Sequence, residues 1–286
     1  MNRIAAALFA FCVLAGTLLD RKTLPAAPGG GVLVADLHVH PYPGDGSLPV
    51  WELQREAARR GVDVIAVTGH NNRVGLQVGR LIPLDPNGPI VLPGQELTTP
   101  RFHMAAVGIQ TLIDWKLTAE EAIAAIHAQG GVAIAAHPLP LSWRDDGNAG
   151  LRALDGAEVA HPSSLVHSPG RQQLQRFFRR VQAVNPGVAP IGSTDFHMTA
   201  PLGLCRTYVL TGERSAAAVL DAVRQGRTVA RDGTGRLFGT PEHVAMVEAY
   251  LGARVPVAPV SRASKLAALG ALVALAGLTV TTRPAR

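Results

Sequence analysis

The sequence predicts an α/β barrel, and three observations carry that prediction. From residue 31 to about 250, short apolar runs alternate with helical patterns, as in a parallel sheet whose strands are joined by helical crossovers. The histidines and carboxylates that interrupt the apolar runs fall at their C-terminal ends, where a closed α/β barrel gathers its ligand-binding rim. The length of 286 residues suits one such barrel with additional terminal segments.

Residues 4–19 carry no charge and follow Arg3, with the length of a signal-peptide core rather than the roughly 20 residues of a spanning helix. Residues 1–22 therefore read as a signal peptide or membrane anchor, and 23–31, containing "LPAAPGGG", as a linker. The apolar strand "GVLVADLH" follows. Pro49, Val50, Leu53 and Ala57 mark a helix that stops at Gly61, and "DVIAVTGH" is the next buried strand. After "IVLPGQ", Thr118 and Glu121 form a capping-box pattern before a helix whose Ala122, Ile123 and Ile126 face inward. "VAIAAHP" and "AEVA" are further strands. A basic helix over 168–184, "APIGSTDFH" and a helix from Ser215 to Gly226 complete the barrel domain, 32–250. A linker (251–265) leads to an apolar segment at 266–282, which reads as a transmembrane helix, with Gly270, Ala274 and Gly277 suited to close helix packing.

Membrane attachment follows as an expectation. Arg3, Arg283 and Arg286 would then share the cytoplasmic side and leave the barrel outside, whereas Arg21, Lys22, Arg262 and Lys265 argue the reverse. The extracytoplasmic placement is the expectation taken. The net charge of +6 has a visible source in "RQQLQRFFRR", read as the solvated face of an amphipathic helix with Leu174, Phe177 and Phe178 inward, the alternative being attraction to anionic lipid heads or phosphorylated substrates. No nucleic-acid motif accompanies it, so no nucleic-acid partner is expected. The two cysteines, Cys12 and Cys205, exclude a disulfide scaffold.

In "DLHVH", strand alternation puts His38 and His40 on one face with Asp36 beside them. His70, Glu96, His137, Asp195 and His197 end or follow later strands. So many imidazoles and carboxylates at strand ends suit Zn, Mn or Fe, and the lack of thiolates argues against a structural Cys-rich zinc site. His127 and His243 fall in helical segments and read as structural.

"DLHVH", "GDG" (44–46), "TGHN" (68–71), "PGQE" (93–96), "AHP" (136–138) and "STDFH" (193–197) resemble, in order, the motifs of the PHP family, named for polymerase and histidinol phosphatase domains. The likeness spans about residues 32–232 and is nearest the branch named after a carbaryl hydrolase. It implies a distorted (β/α)7 barrel holding two or three divalent metal ions. Carried over by position, it implies that His38, His40, Glu96 and Asp195 hold one ion, and Asp45, His70 and His197 a second. Glu96 would bridge to a third ion held by His103 and His137, unless His103 merely ends a strand.

Two positions depart from the family pattern: Gly69 stands where an acidic residue is common, and Pro41 where a hydroxyl residue often follows the second histidine. Asp36 is expected to accept a ligand imidazole's N–H or to cap the barrel edge. Arg144 is a candidate phosphate clamp or a surface partner of Asp145 or Asp146. His161 is a candidate to orient substrate or protonate a leaving group. The expected activity is a metal-dependent phosphoesterase acting on a small phosphorylated or ester substrate. Carbamate or ester hydrolysis at the same site is the alternative, and a membrane-tethered metal-binding module without turnover is the rival from another class.

Overall fold

The computed structural model describes residues 4, 7, 8, 11, 12, 31–138, 143, 148–163, 168–198, 200–253, 266, 269, 270 and 273. Residues 27–253 form one compact unit, and residues 1–26 with 254–286 another. In the smaller unit the described residues are helical, and Cys12 Sγ lies 2.9 Å from where a Cβ on Gly270 would sit, so the two terminal segments approach closely there. Most of the two apolar runs expected to enter a membrane lies outside the described residues. Among the described residues no helix is long and apolar enough to cross one.

The larger unit is a mixed α/β domain around a nearly closed, barrel-like sheet of ten strands. In chain order these are β1 (Val32–Val39), β2 (Val64–Val67), β3 (Ile90–Thr98), β4 (His103–Val107), β5 (Val132–Ala135), β6 (Gly156–Ala160), β7 (Ala189–Gly192), β8 (Arg206–Leu210), β9 (Thr228–Arg231) and β10 (Leu237–Phe238). The helices are α1 (Val50–Arg59), α2 (Val74–Gly79), α3 (Ala119–Ala128), α4 (Asn148–Ala153), α5 (Ser168–Gln182), α6 (Ala216–Arg224) and α7 (Pro241–Ala253). The strand order is β10-β9-β8-β1-β2-β3-β4-β5-β6-β7. Beyond the end of β7, Phe196 pairs with the end of β1, where His40 N donates to Phe196 O at 2.9 Å. Thr207 Oγ1 of β8 also exchanges hydrogen bonds with the backbone of Gly192.

The sheet is not the parallel one that the sequence suggested. β1–β2–β3 and β5–β6–β7 are parallel, but β4 runs antiparallel to both its neighbours, and β8 is antiparallel to β1 and to β9. The link from β3 to β4 is residues 99–102, far too short for the crossover a parallel pair needs.

The barrel interior is a single apolar cluster that includes Leu33, Ala35, Leu37, Val64, Ala66, Ile134 and Ile191, with Val219, Ala222 and Val223 of α6 packed against it. Helix ends match the local chemistry. Thr118 caps α3 through a reciprocal capping box with Glu121, Ser215 accepts from Ala218 N, and Gly61 takes the positive φ of +65° just past α1. In α5, Leu174 and Phe177 are buried and Arg176, Arg179 and Arg180 are exposed, as its amphipathic pattern requires.

Candidate metal centre

His38 and His40 sit at the end of β1, fully buried. Each commits Nδ1 to a carboxylate: His38 to Glu158 Oε1 at 2.9 Å, His40 to Asp45 Oδ1 at 3.0 Å. A carboxylate only accepts, so Nδ1 carries a proton and, once the ring is neutral, Nε2 presents the lone pair. The two Nε2 atoms lie 3.1 Å apart. Glu96 Oε2 stands 3.4 and 3.3 Å from them, and Asp195 Oδ1 3.3 and 3.0 Å. Four electron-pair donors converge on one point.

Two adjoining groups extend this one. Asp45 Oδ2 is 3.0 Å from both His70 Nε2 and His197 Nε2, and His40 belongs to their group as well. Glu96 Oε1 accepts from His103 Nδ1 at 2.8 Å and His137 Nε2 at 3.0 Å. Within each group the ligand atoms lie within 4.8 Å of one another. His40 and Glu96 are shared, so all nine metal-ligand candidates form one continuous cluster.

The donor set fits divalent cations. The buried Glu96 Oε2 and Asp195 Oδ1 face imidazole nitrogens, at 2.7 Å from His70 Nδ1 and 3.0 Å from His40 Nε2, and buried anionic oxygens are costly unless positive charge neutralises them. Imidazole nitrogen mixed with carboxylate oxygen suits Zn, Mn or Fe. Burial opposes ionising Asp195, yet His38 and the hydrogen bonds of His161 and His40 hold its carboxyl far below the usual range. Glu96 behaves alike, burial being outweighed by His38, His103 and His137. Burial also resists charging Glu158, but His38 draws it down to about 2. These carboxylates are anionic, and in the metal-free protein they hold His38 and His40 in the charged form, positive charge that a bound cation would replace.

The backbone is strained where the ligands leave the strands. His137 has φ 24° and Asp195 φ 48°, left-handed values rare outside glycine, and such strain collects at functional sites. Glu158 Oε2 holds His137 by accepting its backbone N–H at 2.6 Å. Asp36 accepts from the backbone N–H of Thr194 at 3.0 Å, the hydroxyl of Thr194 and the N–H of Gly203 at 2.9 Å, fixing the turn that carries Asp195. Of the two roles expected for Asp36, the bond to a ligand imidazole is not made among the described residues. Pairing of β1 slips between Asp36 and Val39, and Val39 rejoins the outer cluster of Val32 and Val34. The extra residue reverses the alternation, so Asp36 and the histidines face opposite ways.

His161 lies at the cluster's edge, its Nε2 3.5 Å from Asp195 Oδ2. Arg144 falls outside the described residues. His127 pairs with Asp155 at 2.8 Å, which also accepts from Ala133 N, a structural arrangement away from the cluster. A Cβ at Gly69 would meet only ordinary contacts, the nearest Asn72 O at 3.5 Å, so space does not explain the missing acidic side chain. Pro41 packs against Gly75, where a Cβ would come within 2.4 Å of its Cγ. Sequence reading missed Glu158 altogether. The signal was present, a lone carboxylate inside the apolar strand "AEVA".

No family model matches the chain. The chain is 33% identical over 118 residues to an uncharacterized protein of Methanocaldococcus jannaschii (MJ1587), a match covering 36% of this chain and 67% of that one. Among solved structures it is similar to a two-domain protein from Bacteroides vulgatus containing a predicted PHP-like metal-dependent phosphoesterase. That similarity has a TM-score of 0.60 and 20% identity, over 84% of this chain and 75% of the other. PsfC from Pseudomonas syringae is similar with a TM-score of 0.55 and 20% identity, over 77% of this chain and 97% of the other. The fold is thus that of a PHP-type barrel, and by sequence the chain belongs to the same family as the uncharacterized archaeal protein.

Proposed function

We propose that the chain is a metal-dependent phosphoesterase that binds two or three divalent ions, Zn, Mn or Fe, and hydrolyses a small phosphorylated substrate. The observation that carries this reading is the facing pair His38 Nε2 and His40 Nε2, 3.1 Å apart, each ring's other nitrogen committed to a carboxylate. The phosphoesterase domain for which the Bacteroides vulgatus neighbour is described supports the same reaction class.

His38, His40, Glu96 and Asp195 would hold one ion, Asp45, His70 and His197 with His40 a second, and Glu96, His103 and His137 a third. Bound ions of this kind lower the pKa of water and neutralise charge that develops on phosphoryl oxygens. His161 is suited to protonate the leaving oxygen. Its Nδ1 accepts from Ser163 N at 3.2 Å, and a backbone N–H only donates, so in the neutral ring the proton sits on Nε2, the atom facing Asp195. Arg144, a few residues past "AHP", is the proposed clamp on the phosphate. The uncharged terminal runs support membrane attachment, and Arg3, Arg283 and Arg286 flanking them support a domain outside the cytoplasm.

Elemental analysis combined with a substrate panel tests this. Metal-loaded protein should release phosphate from nitrophenyl and nucleotide phosphates and leave naphthyl carbamates intact, and His38→Ala should lose metal and turnover together. Full phosphatase activity in a metal-free His38→Ala protein would end the proposal.

A further inference from the structure

A cavity of about 620 Å³ lies away from the metal cluster. It opens where Gly187 and Val188 lead into β7, whereas Asp195 follows that strand's other end. Its volume is in the range that holds small molecules. Arg179 of α5, Arg236 beside β10, Gln175 and His243 line it together with the rings of Phe178 and Phe238. No aspartate or glutamate is among its described lining residues.

The charge here is unbalanced. The ion pairs that arginines make among the described residues involve Arg55, Arg59, Arg60 and Arg227, and neither Arg179 nor Arg236. Other arginines of the same basic helix have partners: Arg180 donates to the carbonyl of Trp143 at 2.8 Å, and Arg171 acts on Asp232. Arg236 lies over the Phe238 ring, 5.5 Å from its centroid, which presets its guanidinium. Gln175 Nε2 and His243 Nδ1 are buried and hydrogen-bond to no described residue, although buried polar groups are nearly always satisfied.

We propose that this cavity binds a small organic phosphate, its head held by Arg179 and Arg236 and its body resting on Phe178 and Phe238. Two guanidiniums without a carboxylate partner match a dianion better than a single charge, and both match the oxygen geometry of phosphate. The aromatic rings give the remainder of such a ligand an apolar wall. An anionic lipid headgroup offers the same phosphate chemistry, so the source must be separated by experiment. This site also gives the basic helix a role beyond a solvated face.

Hydrogen exchange read by mass spectrometry locates binding independently of the metal cluster. Metal-loaded protein is exposed to a phosphonate analogue of adenosine monophosphate that cannot be hydrolysed, to inorganic phosphate, or to vesicles of phosphatidylglycerol and phosphatidylcholine. The phosphonate should slow exchange over residues 184–190, 225–227 and 236–241. The protection should weaken on adding salt and fall at least tenfold in apparent affinity in Arg179→Ala/Arg236→Ala, both exposed positions, with metal content unchanged. Protection by vesicles alone would assign the same chemistry to a lipid headgroup. Absence of protection by every probe, or equal protection in the double variant, overturns the site. Loss of phosphatase activity with this protection intact would fault only the reading of the metal centre.

Discussion

Glu158 Oε1 accepts the Nδ1–H of His38 at 2.9 Å, while its Oε2 accepts the backbone N–H of His137 at 2.6 Å. One buried carboxylate thus fixes the tautomer of a ligand from β1 and the strained turn of a ligand after β5. Glu158→Ala should lower metal affinity roughly 10–100-fold, the usual effect of removing such a partner. Glu158→Gln should retain the bond to His38 and lose less. Competition with a chromophoric chelator measures both, and unchanged affinity in Glu158→Ala would refute the positioning role.

Metal affinity should rise with pH further than an ordinary histidine allows. Burial opposes protonating His40, but bonds to Asp195 and Glu96 raise its pKa from 6.5 to about 9 in the metal-free protein. A cation arriving there must displace a proton, so affinity climbs until pH reaches about 9. For metal-free stability the sign is opposite: this raised pKa contributes fully below 6.5 and is lost as pH rises through about 9. Calorimetric Mn²⁺ titrations across pH check the first claim, and a plateau by neutral pH contradicts it.

Asp36→Ala removes the acceptor for the backbone N–H and hydroxyl of Thr194, just before Asp195, and for the backbone N–H of Gly203 beyond it. Orphaning buried donors should cost on the order of 3 kcal/mol. Denaturant unfolding reads that loss directly. Metal content should fall too, because Thr194 adjoins Asp195; a variant as stable as the parent would show that the turn holds without this carboxylate.

Gly75→Ala should disturb the centre from outside. Its Cβ would meet Pro41 Cγ at 2.4 Å and Cβ at 2.7 Å, and Pro41 directly follows His40. Overpacking of this kind costs about 1–3 kcal/mol. Thermal melting and metal content should both decline; loss of neither would mean that the Pro41 loop yields freely.

Much of the site was legible because polar ligands at strand ends contrast with the apolar residues before them. His38, His40, His70, Glu96, His137, Asp195 and His197 stand out in this way, and the structure brings them together with Asp45 and His103. Glu158 was hidden because it lies within its strand, where a carboxylate resembles a solvent-facing residue until neighbours cover it. The side of Asp36 was unreadable because one inserted residue in β1 reverses strict alternation. Helices with strong caps, such as that led by Thr118, were plain, whereas the antiparallel turn of β4 depends on a four-residue link whose consequence emerges only when strands pair.

The central claim is that the nine side chains cage divalent ions. Anomalous diffraction from crystals of Mn²⁺-loaded protein tests it most directly. Peaks should fall among His38, His40, Glu96 and Asp195 and beside Asp45, His70 and His197. Clear electron density for these side chains with no anomalous peak within bonding distance of any of them would contradict it.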